Sequence, residues 1–209
     1  EKFYQRIADD EHFEISFYET GIIEVIDQVY YNSADIGIVL YLAEEEKFIK
    51  NYIKDKGLDL FEIDRAGIHI TISQKHKLAS VKLIHGFELE PYPCVTYSDF
   101  MDSVLNIEIE SNVLGIDKPT RLLYVRDRHT LLRTLSLTDA YAAAPKFFDE
   151  DNELYNLTSI PVKGKSSQIR FACVARCNAG YAEQDHKKNK YQEMLKSILK
   201  EIIVQYLKE

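Results

Sequence analysis

The chain has 209 residues, 45% of them hydrophobic and 29% charged, which is enough to bury a sizeable core as one large domain or two smaller lobes. A net charge of −8 argues against a surface that grips nucleic acid by its phosphates, which needs clustered Lys and Arg. No apolar run approaches the roughly 20 residues that span a bilayer, and no signal-peptide pattern opens the chain, so no membrane contact is expected; three widely placed cysteines fit a reducing cytoplasm.

Along the chain, helical and strand patterns alternate, as expected of α/β layers with mainly parallel strands. Phe3–Ile7 reads as the end of a helix, and Phe13–Tyr18 alternates with period two, as a strand does. Ile22, Val25, Ile26 and Val29 recur at helical spacing, with Thr20 placed to cap them. Ile36–Leu42 is apolar throughout, which predicts a central strand covered on both faces. A helix with Phe48, Ile49, Tyr52 and Ile53 follows and stops at Gly57.

Short strands are expected at Leu60–Ile63, Ile68–Ile72, Cys94–Tyr97 and Arg121–Val125. Asp127 then opens a helix with Leu131, Leu132 and Leu135, and its ordinary role there is as the cap. A small-residue strand, Tyr141–Pro145, precedes strands at Leu157–Val162 and Ile169–Val174, joined by the loop Lys163–Ser167. The last helix carries Tyr191, Leu195, Ile198, Ile202 and Leu207 along one face.

Catalytic signatures are missing: there is no G-x-S-x-G elbow, P-loop, C-x-x-C pair or H-E-x-x-H helix. The histidines at 12, 69, 76, 85, 129 and 186 are scattered, with His69 read as a structural strand residue and His76 as a turn residue. Cys94, Cys173 and Cys177 imply neither a disulfide framework nor a metal site. The acidic run Glu44–Glu46 suits the first turn of a helix and calls for no functional account. No cofactor is expected.

Two segments carry a resemblance. Ser33-Ala34-Asp35-Ile36-Gly37-Ile38-Val39 is an Asp-led entry into a buried strand, and Thr71–Ala79 is a strand that breaks into the turn His76-Lys77-Leu78-Ala79. Together with Phe87–Tyr97 and Val125–Pro145 they resemble the effector-sensing domain of LysR-type transcriptional regulators, with lysine where the family's turn usually has proline. The resemblance implies an α/β fold of two Rossmann-like lobes joined by two crossover segments, like the type 2 periplasmic-binding proteins. Residues 1–73 and 165–209 would form the first lobe and 74–164 the second. It also implies a homodimer or higher homo-oligomer, pairing the first helix and strand 13–18 with helix 128–137 of another copy. DNA would be contacted only through a winged helix-turn-helix domain that these residues lack, and the chain would begin inside the sensing domain's first helix.

The expected ligand is a small polar metabolite held in an interlobe cleft. In open α/β sheets ligands sit beyond the carboxyl ends of strands, where helix N-termini present free N–H groups. That rule selects Thr20, Tyr41, Tyr97, Ser98, Phe100 and Arg126, and the resemblance independently points to the residues just after Tyr97, Ser98 first. A solute-binding protein of the same fold, or an enzyme built on it, stays open as an alternative.

Overall fold

The computed structural model describes residues 2–8, 13–97, 107–146, 149–163, 167–176 and 186–206. The described chain contains seven α-helices and nine β-strands, in a mixed α/β order. It divides into two compact units: residues 1–39, 50–64 and 171–209 form the first, and residues 40–49 and 65–170 the second.

In the first unit, α1 (Lys2–Ile7) packs against α7 (His186–Tyr206) through Phe3, Ile7 and Ile198, and Arg6 pairs with Glu201 at 2.7 Å. Helix α2 (Ile22–Tyr30) buries Ile26 and Val29. Gly37 lies so close beneath α2 that an added Cβ would come within 2.5 Å of Val25. The glycine of the Asp-led motif is thus required by helix-on-strand packing. Helix α3 (Glu46–Asp55) ends at Gly57, whose φ of +67° is the left-handed conformation that glycine adopts without strain. Lys56 bonds Asp27 at 2.9 Å and lies over the rings of Tyr30 and Tyr52, a small polar-aromatic cluster that ties the end of α3 to α2.

Strands β1 (Ile36–Leu42), β2 (Leu58–Gly67) and β9 (Gln168–Arg176) form a sheet in the order β1-β9-β2. The central strand is β9, with Ala172–Ala175 fully buried. β1 has the bounds the sequence predicts, but it stands at the edge of the described sheet. Its faces alternate, with Val39 and Tyr41 buried and Ile38 and Leu40 about 40% and 39% exposed. Continuous apolarity therefore did not mean two covered faces. The period-two segment Phe13–Tyr18 forms no strand among the described residues, with Phe17 and Tyr18 exposed. Alternation makes a segment two-faced; it does not supply a partner strand.

The second unit is built on a four-stranded sheet, β4-β8-β3-β7, and a two-stranded sheet, β5-β6. β3 (His69–Ser73) runs antiparallel to both β8 (Leu157–Lys163) and β7 (Ala142–Ala144). β4 (Ile84–His85) with β8, and β5 (Cys94–Tyr97) with β6 (Leu122–Val125), pair in parallel. The four-stranded sheet is therefore mixed rather than all parallel. β3 is laddered to β7 and β8, and residues 65–73 lie in the second unit with them. A parallel bridge between Cys94 and Tyr141 links β5 to the strand leading into β7.

Helix α5 (Arg128–Leu137) lays Leu131, Leu132 and Leu135 onto Val95, Val125, Ala140, Ala142 and Leu157, which is the core of this unit. Two short helices, α4 (Ile107–Leu114) and α6 (Asp149–Tyr155), were not anticipated. Gly86 is held by α4, since a Cβ there would meet the Leu114 carbonyl oxygen at 2.1 Å.

Candidate functional site

The parallel pairing of β5 with β6 sets Tyr97 opposite Val125, so the two strands end side by side. Their sequences explain the arrangement. Cys94, Val95 and Thr96 are buried, while β6 turns only Val125 inward and leaves Leu123 and Tyr124 exposed. Tyr97 is half-buried and packs against the core under α5. Arg126 follows β6 and is exposed. Ser98 and Phe100 lie outside the described residues.

Helix α5 opens at this edge. Asp127 is its N-cap: the carboxylate accepts the Thr130 backbone N–H and the Thr130 hydroxyl, each at 2.8 Å. Those bonds hold the Asp127 carboxyl below its usual range. A negative charge already sits at the first turn, so a ligand anion approaching here depends on Arg126 more than on the helix terminus. Arg128 is engaged with Asp151 at 2.7 Å, and His129 with the Tyr155 hydroxyl at 3.2 Å.

Tyr41 belongs to the same unit, near the end of β1, and is only 3% exposed. Beyond it the chain makes a 3-10 turn, Ala43–Glu45, that leads into α3, so Glu44, Glu45 and Glu46 stand in helical first turns as the sequence predicts, with Glu45 turned inward. Glu45 is buried; its carboxyl accepts the Leu42 N–H at 2.9 Å, and burial raises its pKa from an ordinary 4.5 to about 7. Glu44 accepts the Ser167 hydroxyl at 2.5 Å, and Glu46 faces Arg170 at 3.5 Å. No local signal marked Glu45 for burial: it is one of two acids in the 3-10 turn, and Glu46 opens α3.

Thr20 belongs to the first unit, in the irregular segment before α2. It does not cap that helix: Gly21 is the N-cap, and the Thr20 hydroxyl donates to the Glu24 carboxylate. Of the six residues selected, then, Tyr97 and Arg126 are brought to adjacent strand ends. Tyr41 stands elsewhere in the same unit, Thr20 in the other unit.

His76 is structural. Its Nδ1 accepts the Leu78 N–H at 3.0 Å, so the proton is on Nε2, which donates to the Asp139 carbonyl at 3.2 Å. Burial lowers its pKa, so the ring is neutral and fully used. His69 is likewise lowered by burial and bonds the Gly67 carbonyl. Cys94 and Cys173 are buried, and burial pushes Cys173 up to about 11, which makes it inert. Cys177 lies outside the described residues. Among the described residues no group of three His, Cys, Asp or Glu side chains could hold a metal ion, and no helix is long and apolar enough to cross a membrane.

No family model and no curated protein matches the sequence. Solved structures do match the fold. The effector-binding domain of QuiR, in complex with shikimate, aligns over 91% of this chain and 86% of its own, with a TM-score of 0.63 at 14% identity. The BenM effector-binding domain with its effector benzoate aligns over 94% of this chain and 83% of its own, with a TM-score of 0.62 at 13% identity. The regulatory domain of MetR, a LysR family regulator from N. meningitidis, gives 0.55 at 15% identity, over 96% of this chain and 83% of its own. The fold is therefore the periplasmic-binding-protein-like α/β fold of LysR-type effector-binding domains.

Proposed function

We propose that the chain is the effector-binding domain of a LysR-type transcriptional regulator, and that it senses a small metabolite rather than catalysing a reaction. The observation that carries this reading is the fold likeness over nine-tenths of the chain to two domains solved with small molecules, shikimate and benzoate. Both of those molecules carry a single carboxylate. A small, singly charged acid or a zwitterion also suits the local chemistry here, because exposed Arg126 stands beside the Asp127 carboxylate. A multiply charged phosphate would meet too little positive charge in a chain of net charge −8.

In this reading Tyr97, Ser98, Phe100 and Arg126 form the effector contacts at the ends of β5 and β6. The protein acts in the cytoplasm as a homodimer or higher homo-oligomer, the effector biases that assembly between states, and a separate DNA-binding domain reads the bias. The two units act as the two lobes of the sensor. Calorimetry with a panel of small carboxylates and amino acids tests the reading, followed by Ser98→Ala on any ligand found. Loss of one neutral hydrogen bond weakens binding by about 0.5–1.5 kcal/mol. Unchanged affinity removes Ser98 from the site, and a panel member that is chemically converted contradicts the non-catalytic reading.

A further inference from the structure

The acidic turn after β1 holds two pieces of the second unit together, and its central member is poorly suited to carrying charge. Glu45 is 3% exposed and the bond shown for its carboxyl is one backbone N–H, that of Leu42. A buried carboxylate is stabilised by two or three donors; with one, the neutral acid is favoured. Its charged neighbours add to this. Glu44, in the same turn, repels a second negative charge, while Arg170 on β9 is directed to Glu46 at 3.5 Å. Lys47, the next cation along the chain, is exposed. On either side of Glu45, Glu44 and Glu46 reach Ser167 and Arg170, so residues 43–46 are fastened to the start of β9.

We propose that Glu44–Glu46 is a proton-operated clasp: with Glu45 neutral, the turn stays fastened to Ser167 and Arg170, and ionisation of Glu45 releases it. The proton leaves to solvent, and the new carboxylate moves outward to be hydrated, taking the turn with it. The segment concerned, residues 40–49, enters the second unit between two stretches of the first, so its release loosens a short insertion rather than the core under α5. This inference does not rest on the effector reading, and its test uses no ligand.

The test is hydrogen exchange on the 209-residue chain between pH 5.5 and 8.5, corrected for intrinsic exchange. Amides 42–49 are followed, with α5 as internal reference. The clasp predicts that protection of 42–49 falls by at least about tenfold relative to α5 as pH rises, one pKa unit corresponding to tenfold. Glu45→Gln, which stays neutral, should keep protection constant across the range. Protection of 42–49 that tracks α5, or a pH dependence that survives in Glu45→Gln, overturns it. Carbon-13 titration of the Glu45 carboxyl in the unmodified chain decides the matter even if the variant fails to fold. A midpoint near neutrality is expected, lowered in Glu44→Gln; a midpoint in the ordinary carboxylate range overturns the proposal.

Discussion

Glu45 and His76 give the global stability two opposite pH slopes. The folded-state pKa of Glu45 is raised to about 7, so its contribution is full below the unfolded value of 4.5 and is lost as pH rises through 7. His76 is lowered by burial, so its contribution is present above the ordinary imidazole value and is lost as pH falls through the folded one. Urea unfolding of Glu45→Gln against the parent should therefore show the variant gaining relative stability between pH 4.5 and 8, by on the order of 1–3 kcal/mol. A difference independent of pH contradicts the assignment. His76→Ala leaves the Leu78 N–H and the Asp139 carbonyl without the ring they bond, at a cost of about 1–3 kcal/mol at pH 8. The His76 role was legible as a turn residue, because the chain breaks from a strand there. The Glu45 role was missed because an acidic run before a helix has an ordinary explanation in the helix dipole.

At the scale of elements, Gly37 is the sharpest test of the packing. Its Cβ-less face receives Val25, and Gly37→Ala would force the Val25 side chain aside, costing about 1–3 kcal/mol in chemical unfolding. A neutral Gly37→Ala would mean that Val25 repacks freely. The same strand shows how far sequence carries. The bounds Ile36–Leu42 are written in an unbroken apolar run, but an edge strand and a central strand can share that composition. What decides is which distant segment pairs beside it, and that is not local information. Phe13–Tyr18 makes the converse point, having the right period and no ladder among the described residues. Helix α6 escaped notice for a different reason: it begins Asp-Glu-Asp and buries no residue, so it leaves no apolar stripe to read. α5 was legible because Asp127 and the three leucines give both its start and its buried face.

For the whole molecule, the four motif segments marked the fold class, and the structural likeness supports it without any close sequence relative. The mixed pairing of the second unit was not readable, since antiparallel β3–β8 joins residues nearly ninety positions apart, such as Thr71 and Ser159. The candidate site was legible only in part. Strand ends can be found from apolar runs, and Tyr97 and Arg126 do stand at the ends of adjacent strands, but a hydroxyl such as Thr20's has many local partners and took Glu24. The central claim is that a small metabolite binds at the ends of β5 and β6. Amide chemical-shift mapping during titration with the carboxylate and amino-acid panel tests it most directly. The account predicts saturable shifts for one ligand class, centred on Tyr97, Val125 and Arg126. A saturating ligand whose shifts leave those three residues unmoved, or a panel without any saturable shift, contradicts it.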